Sequence, residues 1–153
     1  MMDSEMRRGH IRQAVVSDLS EILTLLSAVR LPTAGVRDHL ENFLVLEVDG
    51  RVAGTVGLEL YGREALLRSL AVTPERQGRG RGSALSQAIV ERAESLSVEE
   101  IILLTETADG FFQKQGFRTI ARDEVSDAMK TSVEFTSCCP LSAVCMKRRV
   151  AAA

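Results

Sequence analysis

Residues 65–96 read ALLRSLAVTPERQGRGRGSALSQAIVERAESL, and the change of period within this stretch decides the fold. Before Pro74 the run is apolar with one charge, Arg68, which is typical of a buried strand. After Pro74 the apolar period changes from two to 3.6, which predicts a helix of about four turns. The stretch therefore predicts a strand, a glycine-rich loop and a helix.

The loop between this strand and helix predicts a phosphate site. It carries three glycines and three arginines, at Gly78, Gly80, Gly82, Arg76, Arg79 and Arg81. Glycines let a ligand approach backbone amides, and the start of a helix favours negative charge. The alternative is a flexible turn decorated with arginines. The loop lacks the Gly-Lys-Ser/Thr of a Walker A motif, and it follows a meander instead of opening a dinucleotide-binding unit.

The sequence before the loop predicts an antiparallel meander of three strands, and the sequence after it predicts alternating helices and strands. Asp49-Gly50 marks a hairpin between FLVLEV and RVAGTVGLEL, and ALLRSLAV would be the third strand. The strand EEIILL after the predicted helix implies a parallel crossover. Other elements are predicted as strands at 10–15, 117–122 and 142–149, a helix at 18–30, a helical turn at 36–41, a short helix ending at Gly116, and a helical tail from Asp123.

Composition limits the class of protein. The 153 residues suit one domain, expected over 10–150 after a flexible N-terminus at 1–9. The net charge of -2 argues against a nucleic-acid partner. No apolar run or leader indicates a membrane, so we expect a cytoplasmic protein, either monomer or homodimer. His10 and His39 are isolated, so no metal site is expected.

At Gln77-x-x-Gly80-x-Gly82 the chain resembles the acetyl-CoA signature of the GCN5-related N-acetyltransferases (GNAT), and FFQKQGF at 111–117 resembles their second characteristic segment. The resemblance implies an α/β protein with a mixed, mostly antiparallel sheet of about seven strands flanked by helices. It implies acetyl-CoA as co-substrate and a small-molecule amine as acceptor. The donor-binding residues it implies are Leu70, Ala71, Val72, Gln77, Gly78, Arg79, Gly80, Arg81, Gly82, Ser83, Phe112 and Lys114.

A narrower resemblance is to the small acetyltransferases of arsenic-resistance operons, through ALLRSLAVTPE, LLTETADGFFQKQGF and EFTSCCPLSAVCMKRR. These segments also resemble the acetyltransferase domain of N-acetylglutamate synthases. The resemblance implies an amino-acid acceptor and a detoxifying role on an organoarsenical amino acid. Acetylation of a protein N-terminus and a non-catalytic acetyl-CoA sensor are the alternatives.

The general acid is not assigned by the sequence. Many family members use a tyrosine at the position that Phe112 occupies here. Tyr61, the only tyrosine, is a candidate if its turn faces the thioester, and Cys139 is another. Cys138, Ser137 and bound water are alternatives. Cys138 and Cys139 are adjacent, which disfavours a disulfide, and we expect reduced thiols.

Glu59 is the first candidate for the general base, directly or through water, ahead of Glu64 and Glu47. Arg68 is a lone charge in an apolar strand, so we expect it to meet an anion. That anion is either a substrate carboxylate or an internal partner such as Glu59. Thr33, in the loop LPTAG, and Glu59 are further candidates for substrate binding.

Overall fold

The protein is represented by a computed structural model, which describes residues 9–138 and 142–150. Its strands are β1 (His10–Gln13), β2 (Phe43–Val48), β3 (Arg51–Tyr61), β4 (Glu64–Val72), β5 (Glu100–Thr105), β6 (Arg118–Ile120) and β7 (Val144–Arg149). Its α-helices are α1 (Leu19–Ala28), α2 (Arg81–Ser95), α3 (Asp109–Lys114) and α4 (Asp127–Lys130). Among the described residues, no helix is long and apolar enough to cross a membrane.

The strands form one seven-stranded sheet in the order β1-β2-β3-β4-β5-β7-β6. Strands β4 and β5 are parallel, with Glu64 opposite Glu100 and Leu66 opposite Ile102. The pairs β1–β2, β2–β3, β5–β7 and β6–β7 are antiparallel. The predicted mixed, mostly antiparallel sheet is therefore confirmed, as is the parallel crossover through α2.

The chain forms two compact units. Within the described residues, the first consists of 9–57 and 69–89. Its core joins the apolar face of α1 to β2, with Ile22, Leu26 and Phe43 fully buried. The predicted hairpin turn is present, because Asp49 and Gly50 both have positive φ, at 52° and 76°.

Within the described residues, the second unit consists of 58–68, 90–138 and 142–150. Its core includes Leu66, Ile102 and Met129, which are fully buried, with Cys145 packed beside them. Burial raises the pKa of the Cys145 thiol, because the apolar surroundings disfavour a thiolate. The expectation of a single domain over 10–150 stays a prediction.

Three segments differ in detail from the sequence-based prediction. Helix α2 begins at Arg81, so the last glycine of the loop is already helical. Residues Arg37–Asn42 form a 3-10 helix. The tail is a succession of short pieces, with a 3-10 turn at Arg122–Glu124, then α4, then a π-helical turn at Glu134–Cys138.

Candidate functional site

The glycine-rich loop leads directly into α2. Gly78 and Gly80 have φ of 89° and 75°, a backbone region that favours glycine. A Cβ at either position would meet no atom within 4 Å, so the space beside the loop backbone is open. Helix α2 starts at Arg81, and the Ala84 amide donates to the Gly80 carbonyl at 3.0 Å. The loop thus presents backbone beside the positive end of a 15-residue helix.

Side chains of the loop fix its shape. Gln77 Nε2 donates to the Val72 carbonyl at 2.9 Å, which fastens the loop to the end of β4. Arg81 Nη1 donates to the Arg76 carbonyl at 2.9 Å, and Arg76 Nη2 lies 3.4 Å from Asp49 Oδ2. Arg76 and Arg81 therefore hold the loop itself as well as contributing positive charge.

This geometry suits a phosphate ligand. Amides at a helix start, open glycine backbone and two or three guanidinium groups are the features that anion sites share. The buried Nε of Arg81 has no hydrogen-bond partner within the described residues, which leaves a donor for an added anion. The predicted roles of residues 77–83 in coenzyme binding stay predictions.

The backbone of β4 is irregular next to the predicted pantetheine contacts. Ser69 has φ of 61°, a left-handed conformation that costs a non-glycine residue about 1–2 kcal/mol. Leu70 is half-buried, while Ala71 and Val72 are buried. Such backbone strain is found at functional sites more often than elsewhere, so the left-handed Ser69 supports a functional role for this part of β4.

A buried polar cluster surrounds Glu59 in the second unit. Glu59 Oε1 accepts hydrogen bonds from the Tyr61 hydroxyl at 2.5 Å and from the Ser132 hydroxyl at 2.7 Å. Glu59 Oε2 accepts one from Arg68 Nη1 at 2.7 Å. Glu59 is 1% exposed and Arg68 is 2% exposed. Three donors on one buried carboxylate stabilise its anionic form.

Glu134 joins this cluster from the π-helical turn. Its Oε2 lies 3.7 Å from Arg68 Nη2, and its backbone amide donates to Ser132 Oγ at 3.2 Å. Arg68 thus forms the internal ion pair that the sequence left open as one of two alternatives. Capture of a substrate carboxylate by Arg68 stays a prediction, and it would require rearrangement of these partners.

Tyr61 is the half-buried member of the cluster. Burial and the hydrogen bond to Glu59 raise the pKa of Tyr61 to about 12, since both disfavour a phenolate. The phenol is therefore protonated at neutral pH. Because its proton is directed at Glu59, it is a weaker candidate for protonating a departing thiolate.

The other predicted site residues lie in varied surroundings. Phe112 is buried and makes edge-to-face contacts with Phe111 and Phe117, while Lys114 is exposed. Thr33 is exposed in the loop after α1. Cys139 lies outside the described residues.

Glu47 and Glu64, the alternative candidates for the general base, lie in different surroundings. Glu47 is half-buried and accepts from Arg12 Nε at 2.9 Å. Glu64 is half-buried at the start of β4. Both residues stay alternatives, and Glu59 stays the first candidate because three donors hold its buried carboxylate.

Sequence reasoning missed Ser132 and Glu134. Ser132 is 73 positions from Glu59, and a serine in a polar stretch carries no signal of burial. Glu134 did carry one, because it is a lone carboxylate between Val133 and Phe135. Within the described part of the chain, no group of three or more His, Cys, Asp or Glu side chains could hold a metal ion.

Relatives of known sequence are consistent with these features. Residues 39–119 match the family model described as "Acetyltransferase (GNAT) domain". The amino-acid acetyltransferase of Vibrio vulnificus (strain CMCP6) is 29% identical over 130 residues, covering 79% of this chain and 29% of that protein. That of Actinobacillus pleuropneumoniae serotype 5b (strain L20) is 31% identical over 133 residues, covering 80% of this chain and 30% of that protein. The chain thus spans less than a third of these relatives.

Solved structures share the fold. N-acetylglutamate synthase from Neisseria gonorrhoeae, complexed with coenzyme A and N-acetyl-glutamate, superposes with a TM-score of 0.81 at 23% identity, covering 94% of this chain and 35% of that one. Rv2747 from Mycobacterium tuberculosis, in complex with CoA and NLQ, has a TM-score of 0.79 at 23% identity, covering 93% of this chain and 99% of that one. The family match covers more than half of the 153 residues, so the chain belongs to the GNAT acetyltransferase family.

Proposed function

We propose that this chain is an acetyl-CoA-dependent N-acetyltransferase whose acceptor is the amine of a small molecule, an amino acid or amino-acid analogue. The observation that carries the donor half is the loop from Gln77 to Gly82. The space beside its glycine backbone is open, and the loop leads into the N-terminus of α2. Backbone amides at a helix N-terminus suit the negative charge of a coenzyme's pyrophosphate. Family membership supports the same donor.

The chain's own residues would hold the donor by its phosphates and its pantetheine arm. Residues 77–83 would bind the pyrophosphate, and the backbone of Leu70, Ala71 and Val72 would run beside the pantetheine. Gln77 would keep the loop closed against β4 through its hydrogen bond to Val72. Bound acetyl-CoA supplies the acetyl group as a thioester. The described residues fit this ligand, because the open space beside Gly78 and Gly80 and the unshared Nε donor of Arg81 belong to the same loop.

The acceptor class rests on relatives. The relatives from Vibrio vulnificus and Actinobacillus pleuropneumoniae are amino-acid acetyltransferases, 29% and 31% identical over 130 and 133 residues. The structural neighbour from Neisseria gonorrhoeae was solved with N-acetyl-glutamate. A free amino acid or its analogue is therefore the proposed acceptor, and an organoarsenical amino acid is the finer proposal from the resemblance of the tail. For either acceptor, the proposed location of the enzyme is the cytoplasm.

The test is release of free thiol from acetyl-CoA across a panel of acceptors. The panel contains free amino acids, amino-acid analogues including an arsenical and a phosphinic one, aminoglycosides, polyamines and short peptides. We expect turnover with free amino acids or analogues. Turnover with peptides or polyamines alone would overturn the acceptor class. Binding of acetyl-CoA without transfer to any amine would favour the sensor.

A further inference from the structure

Glu59 is shielded from any acceptor. It is 1% exposed, and hydrogen bonds from Tyr61, Ser132 and Arg68 occupy its two carboxylate oxygens. A general base must come within hydrogen-bond reach of the proton that it removes. Direct contact between Glu59 and a substrate ammonium would require the cluster to open. Tyr61, in contrast, is only half-buried, and its hydroxyl donates a hydrogen bond of 2.5 Å to Glu59 Oε1.

We propose that the Tyr61 hydroxyl relays a proton from the acceptor's ammonium group to Glu59 Oε1. The inference rests on the proposed function, and it replaces direct or water-mediated action of Glu59. One N–H bond of the ammonium breaks as an Oη–H bond forms on Tyr61. The original Oη–H bond breaks as an O–H bond forms on Glu59. The acceptor becomes a neutral amine, Tyr61 stays neutral, and Glu59 becomes a neutral acid, so charge and atoms balance.

The chemistry of a phenol suits this task. A tyrosine hydroxyl donates one hydrogen bond and can accept others through its oxygen. With its proton directed at Glu59, Tyr61 Oη has lone-pair capacity for an ammonium N–H. A raised pKa does not oppose a relay, because no phenolate accumulates. After transfer, the proton returns to solvent by the reverse path.

The remaining members of the cluster position the proton acceptor. Ser132 fixes Glu59 Oε1 and Arg68 fixes Oε2, so the carboxylate cannot turn away from Tyr61. In the described part of the chain, the charged groups around Tyr61 include Glu59 on β3, Arg68 on β4 and Glu134 beyond α4. Arg68 carries one positive charge between two carboxylates, which leaves a net negative cluster able to take up a proton when all three are ionised.

The test compares Tyr61→Phe with Ser132→Ala, using acetyl-CoA and the best acceptor from the amine panel. Tyr61→Phe removes only the relay oxygen, and we expect kcat to fall about 100-fold or more. We expect its KM for acetyl-CoA to stay within about twofold of the wild type. Ser132→Ala keeps the relay and loosens Glu59, so we expect a smaller fall, below about tenfold.

The pH profile separates a relay from a structural role. In Tyr61→Phe, kcat/KM for the acceptor should rise about tenfold per pH unit up to the pKa of the free amine, because only pre-formed neutral amine reacts. The defect should also shrink for acceptors whose amines have lower pKa values. Ser132→Ala should keep the wild-type profile. If Tyr61 donated a proton to the thiolate instead, the defect would not depend on the acceptor's pKa.

A measurement without acceptor tests the surroundings of Tyr61, namely its burial and its hydrogen bond to Glu59. The chain has one tyrosine and no tryptophan, so absorbance near 295 nm reports Tyr61 ionisation alone. Read immediately after a pH jump, before alkaline unfolding, the midpoint should lie at about 12, and a midpoint near 10, the ordinary value, would overturn the proposal. So would a Tyr61→Phe enzyme with near wild-type kcat. If the wild type releases no thiol with any amine, the proposed function itself fails, and the relay with it.

Discussion

Arg68 Nη1 lies 2.7 Å from Glu59 Oε2, and the two side chains are 0% and 1% exposed. Water does not reach either charge, so each stabilises the other in place of hydration. Glu134 shares the same guanidinium at 3.7 Å. This pair is therefore a structural requirement as well as part of the candidate catalytic cluster.

Replacing Arg68 by methionine should destabilise the fold by about 3–5 kcal/mol, because two buried carboxylates lose their cation. Arg51→Met is the matched control, since Arg51 pairs with Glu21 at 3.3 Å while its side chain is 79% exposed. The control should cost less than about 1 kcal/mol. Urea unfolding measures both. Equal, small losses in the two variants would contradict the buried-pair interpretation.

Gly80→Ala should weaken coenzyme A binding about tenfold, because a side chain at φ of 75° shifts the loop amides from their present direction. Gly62→Ala is the control, with φ of 65° in a turn and no atom within 4 Å of the added Cβ. Both variants carry a similar backbone cost of about 1 kcal/mol. Calorimetry with coenzyme A compares them. Similar affinities for Gly80→Ala and wild type would remove the loop from the donor site.

Gly57→Ala should destabilise the first unit by about 1–3 kcal/mol, since the added Cβ would overlap the ring of Phe43. Phe43 is fully buried, so its ring has little room to retreat. Gly110→Ala, within α3, adds a Cβ that meets nothing within 4 Å. That control should be neutral or stabilising by up to about 1 kcal/mol. A harmless Gly57→Ala would mean that β3 and β2 can move apart locally.

Asp18→Asn should reduce stability at neutral pH and have less effect in acid. Arg12 holds Asp18 with two hydrogen bonds of 2.8 and 2.9 Å, and the Val15 amide adds a third at 2.7 Å. The Arg12 hydrogen bonds lower the pKa of Asp18, against the opposing effect of burial. The stabilisation is therefore full above the unfolded pKa of about 3.9 and is lost as pH falls through the lower folded value.

Unfolding free energies of wild type and Asp18→Asn between pH 7 and 2 check this sign. The difference in unfolding free energy between wild type and Asp18→Asn should become smaller only below about pH 4. Glu99→Gln serves as control, because Glu99 pairs with Arg63 while their side chains are 49% and 82% exposed. Its effect should stay small throughout. A difference for Asp18→Asn that is constant with pH would show that the carboxylate charge contributes nothing.

Much of the fold was predictable because its signals are local. Asp49-Gly50 specified a hairpin through residues that tolerate positive φ, and both adopt it. The change of period after Pro74 located α2, and β4 and β5 are parallel as the crossover implied. The left-handed Ser69 was not predictable, since serine in an apolar run gives no sign of a bend.

In the candidate site, the donor loop was predictable from the sequence, but the full membership of the Glu59 cluster was not. The donor loop is a continuous motif, so its residues are neighbours in sequence. The Glu59 cluster is assembled from β3, β4 and the tail beyond α4, and Ser132 reaches Glu59 across 73 positions. The lone charge of Arg68 indicated that an anion lay nearby, but tertiary packing alone determined which one.

The two outermost strands of the sheet are short. Strand β1 has four residues and β6 has three, whereas β3 has eleven. A short edge offers few backbone groups to another chain, and charged residues such as Arg12 and Arg118 disfavour further pairing. The protein should consequently resist edge-to-edge aggregation when concentrated, which suits the long titrations and crystallisation trials that a coenzyme complex requires.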